Sequence, residues 1–144
     1  MKTWSSDWAW SLPLIIVNLL LHVGSLALIT EKLEQFLTTG AGRRSLKRRL
    51  ALVMGFMTLL ITVLHGIEAF IWAGAYRFLD ALPDYRSAML YSLSAMTSYG
   101  NTDLLLMSQW RMMGALESLN GMLLLGLTTA FLFSMIRTIS RSPS

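Results

Sequence analysis

Three stretches of this chain, Leu12 to Ile29, Leu50 to Ala75 and Met112 to Ile136, are almost wholly apolar, and they constrain everything else. A helix needs about 20 such residues to cross a bilayer, and each stretch is near that length. In lipid every backbone N–H and C=O must find its partner inside the protein, which leaves only helices and closed barrels. The stretches are long and do not alternate polar with apolar residues, so helices are expected. With 54% hydrophobic and 14% charged residues, the chain lacks the charge to cover a soluble globule of its 144 residues. The reading is an all-α membrane protein with three transmembrane helices, the first extending toward Leu37.

The net charge of +4 is concentrated in "GRRSLKRRL", where Arg43, Arg44, Lys47, Arg48 and Arg49 follow the breakers Gly40 and Gly42. A short basic loop between spans is the mark of the cytoplasmic side, and no basic face for nucleic acid is left over. Arg137 and Arg141 follow the third span, while Asp80, Asp84 and Asp103 fall between the second and third. The expected orientation in a plasma (inner) membrane is therefore N-terminus outside, with the basic loop and C-terminus cytoplasmic. Trp4, Trp8 and Trp10 at the start of the first span suit the headgroup region, and no small-residue cleavage pattern marks a signal peptide. Three segments follow: an N-terminal extra helix with the basic loop (1–49), a membrane unit (50–138) and a short cytoplasmic tail (139–144).

Several polar residues interrupt the spans. Asn18 and His22 are one turn apart and are expected to bond each other or a neighbouring helix. Glu68 lies three residues after His65 and shares a side with Trp72, while Glu117 shares a face with Asn120 and Gly121. Ionisable residues inside a span are functional candidates by default, and here a bracing role is expected. Enzyme chemistry is not expected: the chain carries no HExxH, no phosphate-binding Gly-rich loop with Lys-Ser/Thr, no GxSxG and no Cys. Two His in different spans do not by themselves argue for a metal site, and no cofactor is expected.

Between the second and third spans lies "SAMLYSLSAM", Ser87 to Met96, which is apolar but about half the length needed to cross. Asp84 or Ser87 is placed to cap it. The polar, Gly-containing "AMTSYGNTDLLL" follows. Non-helical backbone at membrane depth survives only when protein covers it or when it lines a watery cavity. Span, short re-entrant helix, irregular return and span is the layout of a pore.

The region from about His65 to Phe133 resembles the two-transmembrane potassium-channel pore family, through "HGIEAFIWAGAY", "AMLYSLSAMTSYGNTD" and "QWRMMGALESLNGMLLLGLTTAFLF". The resemblance implies an outer helix, pore helix, selectivity filter and inner helix forming one quarter of a homotetramer. Where the family reads roughly TTVGYGD, an ungapped alignment places Thr97, Ser98, Tyr99, Gly100, Asn101, Thr102 and Asp103. Sliding Tyr99 and Gly100 onto the family's YG requires compensating two-residue gaps on either side. The ungapped register implies that the carbonyls of Ser98, Tyr99 and Gly100 coordinate partly dehydrated K+ or Na+ ions. Asp103 then forms an acidic ring at the outer mouth.

Thr102 stands where the family has its second glycine, and a β-branched residue at positive φ costs about 1–2 kcal/mol or more. Asn101 replaces an aromatic ring. The implied activity is passive conduction of monovalent cations without strict potassium selectivity; a non-conducting scaffold or accessory subunit that kept the fold is the alternative. The resemblance further implies filter support from Glu68, Trp72, Glu117 and Asn120. It makes Gly121 and Gly126 candidates for a gating hinge, with close helix packing as the competing reading. Thr128, Thr129 and Ala130 are candidates to line an inner vestibule. Expected partners are other copies of the chain, lipids and monovalent cations.

Overall fold

In the computed structural model, the described backbone covers residues 2–39, 46–100 and 104–141, with most of their side chains. Helix α1 spans Lys2–Thr39, α2 Leu46–Phe78, α3 Tyr85–Met96 and α4 Arg111–Arg141, the last entered through a single 3-10 turn at Ser108–Trp110. Among the described residues there is no strand. Three helical stretches are long and apolar enough to cross a membrane: Ser5–Lys32, Ala51–Phe78 and Ser108–Thr138. The architecture is all-helical with three candidate spans, and α3 is the short helix between the second and third.

Helix α1 begins earlier than its apolar run suggests, because the Trp-rich segment before Pro13 is helical too. Proline removes one intrahelical hydrogen bond, a loss that membrane helices tolerate when neighbours restore the partners. At 38 residues α1 is roughly 57 Å long, well beyond a hydrocarbon core of about 30 Å. Its first turns dock on the start of α4, where Asp7 is buried near the Met113 backbone N–H. That N–H belongs to the first turn of α4, where no intrahelical partner exists and a carboxylate is favoured. Trp10 packs on Phe78 with ring centroids 5.7 Å apart, so the start of α1 also meets the end of α2.

The core forms around the face of α2 that carries Ala69, Trp72, Ala73 and Tyr76, at helical spacing. Ala81, Leu82, Ala88, Met96, Leu106, Met113 and Leu124 close over it. A smaller cluster of Val53, Met57 and Met135 packs the other end of the bundle. The opposite faces are apolar and open: Leu20, Leu28, Phe56, Leu59, Phe70, Met122 and Phe133 are all more than half exposed. Such a surface suits acyl chains rather than water.

Asp84 caps α3, its carboxylate accepting from the Ser87 backbone N–H at 2.9 Å and from the Ser87 hydroxyl at 2.8 Å. The helix is 12 residues long, roughly 18 Å, and wedges between α2 and α4. Two glycines of α4 admit it. A Cβ on Gly114 would stand 2.1 Å from the Tyr91 hydroxyl, and one on Gly121 would stand 2.3 Å from the Met96 carbonyl oxygen.

Candidate pore loop and buried polar cluster

Helix α3 stops at Thr97, whose hydroxyl donates to the Leu93 carbonyl at 2.7 Å. Beyond it the backbone turns left-handed at two positions. Thr97 is right-handed at φ −87° and ψ 0°, Ser98 left-handed at φ 55°, and Gly100 left-handed at φ 69°. A right-handed residue followed by a left-handed one, as at Thr97 and Ser98, turns successive N–H groups to one side. Here the N–H side faces α3: Ser98 donates to the Ala95 carbonyl at 3.0 Å and Gly100 to the Ser94 carbonyl at 3.3 Å. These carbonyls belong to the last turn of α3, where no intrahelical N–H follows to meet them, and the Ser94 carbonyl also accepts from the Thr97 hydroxyl at 3.4 Å.

Among the described residues, no donor reaches the carbonyls of Ser98, Tyr99 or Gly100. Residues 97–100 are exposed, Tyr99 at 85%. Behind them a cavity of about 310 Å³ opens between Ser94, Ser98, Gly100, Leu104 and Ser118. Asn101, Thr102 and Asp103, the outer half of the sequence-expected filter, lie outside the described residues. So do Arg43 and Arg44 of the basic loop.

Directly behind α3, Tyr76 is fully buried and donates its hydroxyl hydrogen to Glu117 Oε2 at 2.7 Å. It also meets the Tyr91 ring edge-on at a centroid distance of 5.4 Å, so one side chain of α2 joins α3 and α4. Trp72, Glu117 and Asn120 are buried in the same region. Gly121 serves close approach, pressed against the Met96 backbone, whereas Gly126 has nothing near its missing Cβ among the described residues.

Glu68 faces elsewhere. Its carboxylate takes His22 Nδ1 of α1 on Oε1 at 2.8 Å and His65 Nδ1 on Oε2 at 2.9 Å. The Thr128 hydroxyl of α4 closes the far side, 3.2 Å from His65 Nε2 and 3.3 Å from His22 Nε2. Asn18 donates its side-chain amide to the Glu68 backbone carbonyl at 3.5 Å. Asn18 and His22 thus bond a neighbouring helix, one of the two outcomes their spacing allowed. Glu68 is fully buried, and its carboxylate braces α1 against α2. Thr128 does not line a vestibule: it is 7% exposed and held by the two imidazoles, while Thr129 and Ala130 are exposed.

Sequence reasoning found each pair, Asn18 with His22 and His65 with Glu68, and missed their meeting. Depth would have pointed to it, because His22, His65 and Thr128 all sit well inside their spans. Tyr76 carried no signal beyond being a hydroxyl near the end of a span. Compared with known proteins, the chain matches no family model, no curated protein and no solved structure.

Proposed function

We propose that the chain is one subunit of a homotetrameric channel in the plasma (inner) membrane that conducts monovalent cations passively. In this reading the segment from Ser98 to Asp103 surrounds a central axis. The carbonyls of Ser98, Tyr99 and Gly100 take the place of water around K+ or Na+, and Asp103 supplies an acidic ring at the mouth.

The observation that carries the reading is the orientation of the loop backbone. Alternate N–H groups fold back onto α3, and among the described residues no donor reaches the Ser98 to Gly100 carbonyls, which belong to an exposed, non-helical segment. Backbone of that kind is stable at membrane depth only against protein or water. A fourfold axis supplies both, with cations completing the carbonyls. The left-handed backbone at Ser98 costs about 1–2 kcal/mol for a residue with a side chain, a strain the rest of the fold must hold in place.

The test is cation flux into liposomes holding the purified chain. Flux that falls when Ser98, Gly100 or Asp103 is substituted supports conduction through this loop. Flux that none of the three alters would refute it. Silence under every sodium and potassium gradient would favour the non-conducting scaffold, for which Asn101 and Thr102 are the sequence arguments. The sodium and potassium reversal potentials measure the selectivity that those two residues put in question.

A further inference from the structure

The cluster of His22, His65, Glu68 and Thr128 has no task in conduction as proposed above, yet it joins three helices in the interior of the bundle. Its geometry is convergent. Both imidazoles aim Nδ1 at one carboxylate, the ring centroids are 5.3 Å apart, and both Nε2 atoms share one hydroxyl. One ligand atom from each of His22, His65 and Glu68 lies within 4.8 Å of the other two.

We propose that His22 Nδ1, His65 Nδ1 and the Glu68 carboxylate bind one divalent first-row transition-metal ion of the zinc class. Two imidazoles and a carboxylate are a recurrent ligand set for such ions, bound at about 2.0–2.2 Å with a further position left for water. Tetrahedral ligand atoms on one ion at that distance stand roughly 3.3–3.6 Å apart, so the contacts of 2.8 and 2.9 Å must open by about half an ångström and any wider separation within the 4.8 Å limit must close.

Thr128 completes the argument. Imidazoles that ligate through one nitrogen donate the other N–H to an oxygen, which fixes the ring. The Thr128 oxygen has two lone pairs and stands 3.2 and 3.3 Å from the two Nε2 atoms, so it accepts from both. Hydrogen counting points the same way. With Glu68 ionised and both rings neutral, the four contacts have only three hydrogens among them, two on the imidazoles and one on the hydroxyl. A metal at the Nδ1 side removes the shortfall, since both rings then carry their hydrogen on Nε2. It also offsets a carboxylate that would be costly alone at this depth. The ion would tie α1 to α2 directly and to α4 through Thr128.

The chain contains two His and no Cys, so any nitrogen ligation from imidazole must come from this cluster. The experiment uses the full chain, purified without a polyhistidine tag, loaded with Co2+ or Cu2+ and freed of excess metal. The expected result is about one ion per chain by elemental analysis, with a paramagnetic-resonance spectrum of the Cu2+ form showing coupling to two imidazole nitrogens. Thr128→Val, which keeps every ligand, is expected to weaken Co2+ binding by roughly 10- to 100-fold. His22→Ala and His65→Ala are expected to abolish the two-nitrogen signal. Wild-type protein that retains no metal, or Cu2+ without nitrogen coupling, overturns the site and leaves the four contacts to be completed by an added proton instead.

Discussion

Replacing Gly121 by alanine is a one-carbon perturbation whose consequence can be worked through the structure. The new Cβ would lie 2.3 Å from the Met96 carbonyl oxygen and 2.5 Å from its Cα. Ordinary contact begins near 3.4 Å, so the end of α3 must retreat from α4 by about 1 Å. The obstacle is backbone, which cannot rotate aside as a side chain does. Overpacking of this kind costs about 1–3 kcal/mol per chain. The displaced residues lead straight into Thr97 and Ser98, so in the proposed tetramer the shift reaches all four strands of the filter.

Gly126→Ala is the matched control, because among the described residues nothing lies within 4 Å of its Cβ position and alanine favours the helix by about 1 kcal/mol. Gly114→Ala is intermediate, since it meets the Tyr91 hydroxyl, the far end of a side chain. Thermal unfolding in detergent and cation flux in liposomes should both rank the variants with Gly121→Ala the most impaired and Gly126→Ala unimpaired. A Gly121→Ala protein as stable and as active as wild type would refute the close-approach account. Equal loss of gating in Gly121→Ala and Gly126→Ala, without loss of stability, would favour a hinge.

Two further perturbations test the parts that hold α3. Tyr76→Phe removes the donor to Glu117 Oε2 while keeping the ring against Tyr91, and leaves a buried carboxylate oxygen without that partner. It is expected to lower unfolding stability by about 1–3 kcal/mol; unchanged denaturation would remove Tyr76 from the bracing role. Asp84 has its carboxyl held below the ordinary carboxylate range, chiefly by the Ser87 backbone N–H. A depressed value means the cap contributes above about pH 4 and is lost as pH falls through the folded value below that. Acid should therefore fray α3 in the wild type and have a smaller effect on Asp84→Ala, as read by amide hydrogen exchange over residues 85–97. Equal acid sensitivity in both would exclude the cap.

Much of the layout was legible because lipid leaves a chain few choices. Long apolar runs gave the three spans, and the short run before "TSYGN" gave α3, with Asp84 already a candidate cap. The start of α1 was less legible: Pro13 marks a boundary in water, whereas here the Trp-rich segment is helical from Lys2 and docks Asp7 on α4. Rotation of helices about their axes was not legible at all. Thr128, Thr129 and Ala130 are consecutive, and a helix points consecutive residues in different directions. One therefore faces the imidazoles while its neighbours face outward. The same missing rotation hid the meeting of the His22 and His65 pairs. For Gly121, sequence could name a hinge or a contact, and only the position of Met96 indicates the contact.

The most direct test of the central claim is a density map of the purified chain in lipid nanodiscs. The account predicts four copies about one axis, with residues 97–103 of each lining a central opening and ion density between the carbonyls of Ser98 to Gly100. A monomer or dimer, with that segment sealed by side chains and no opening, would contradict it.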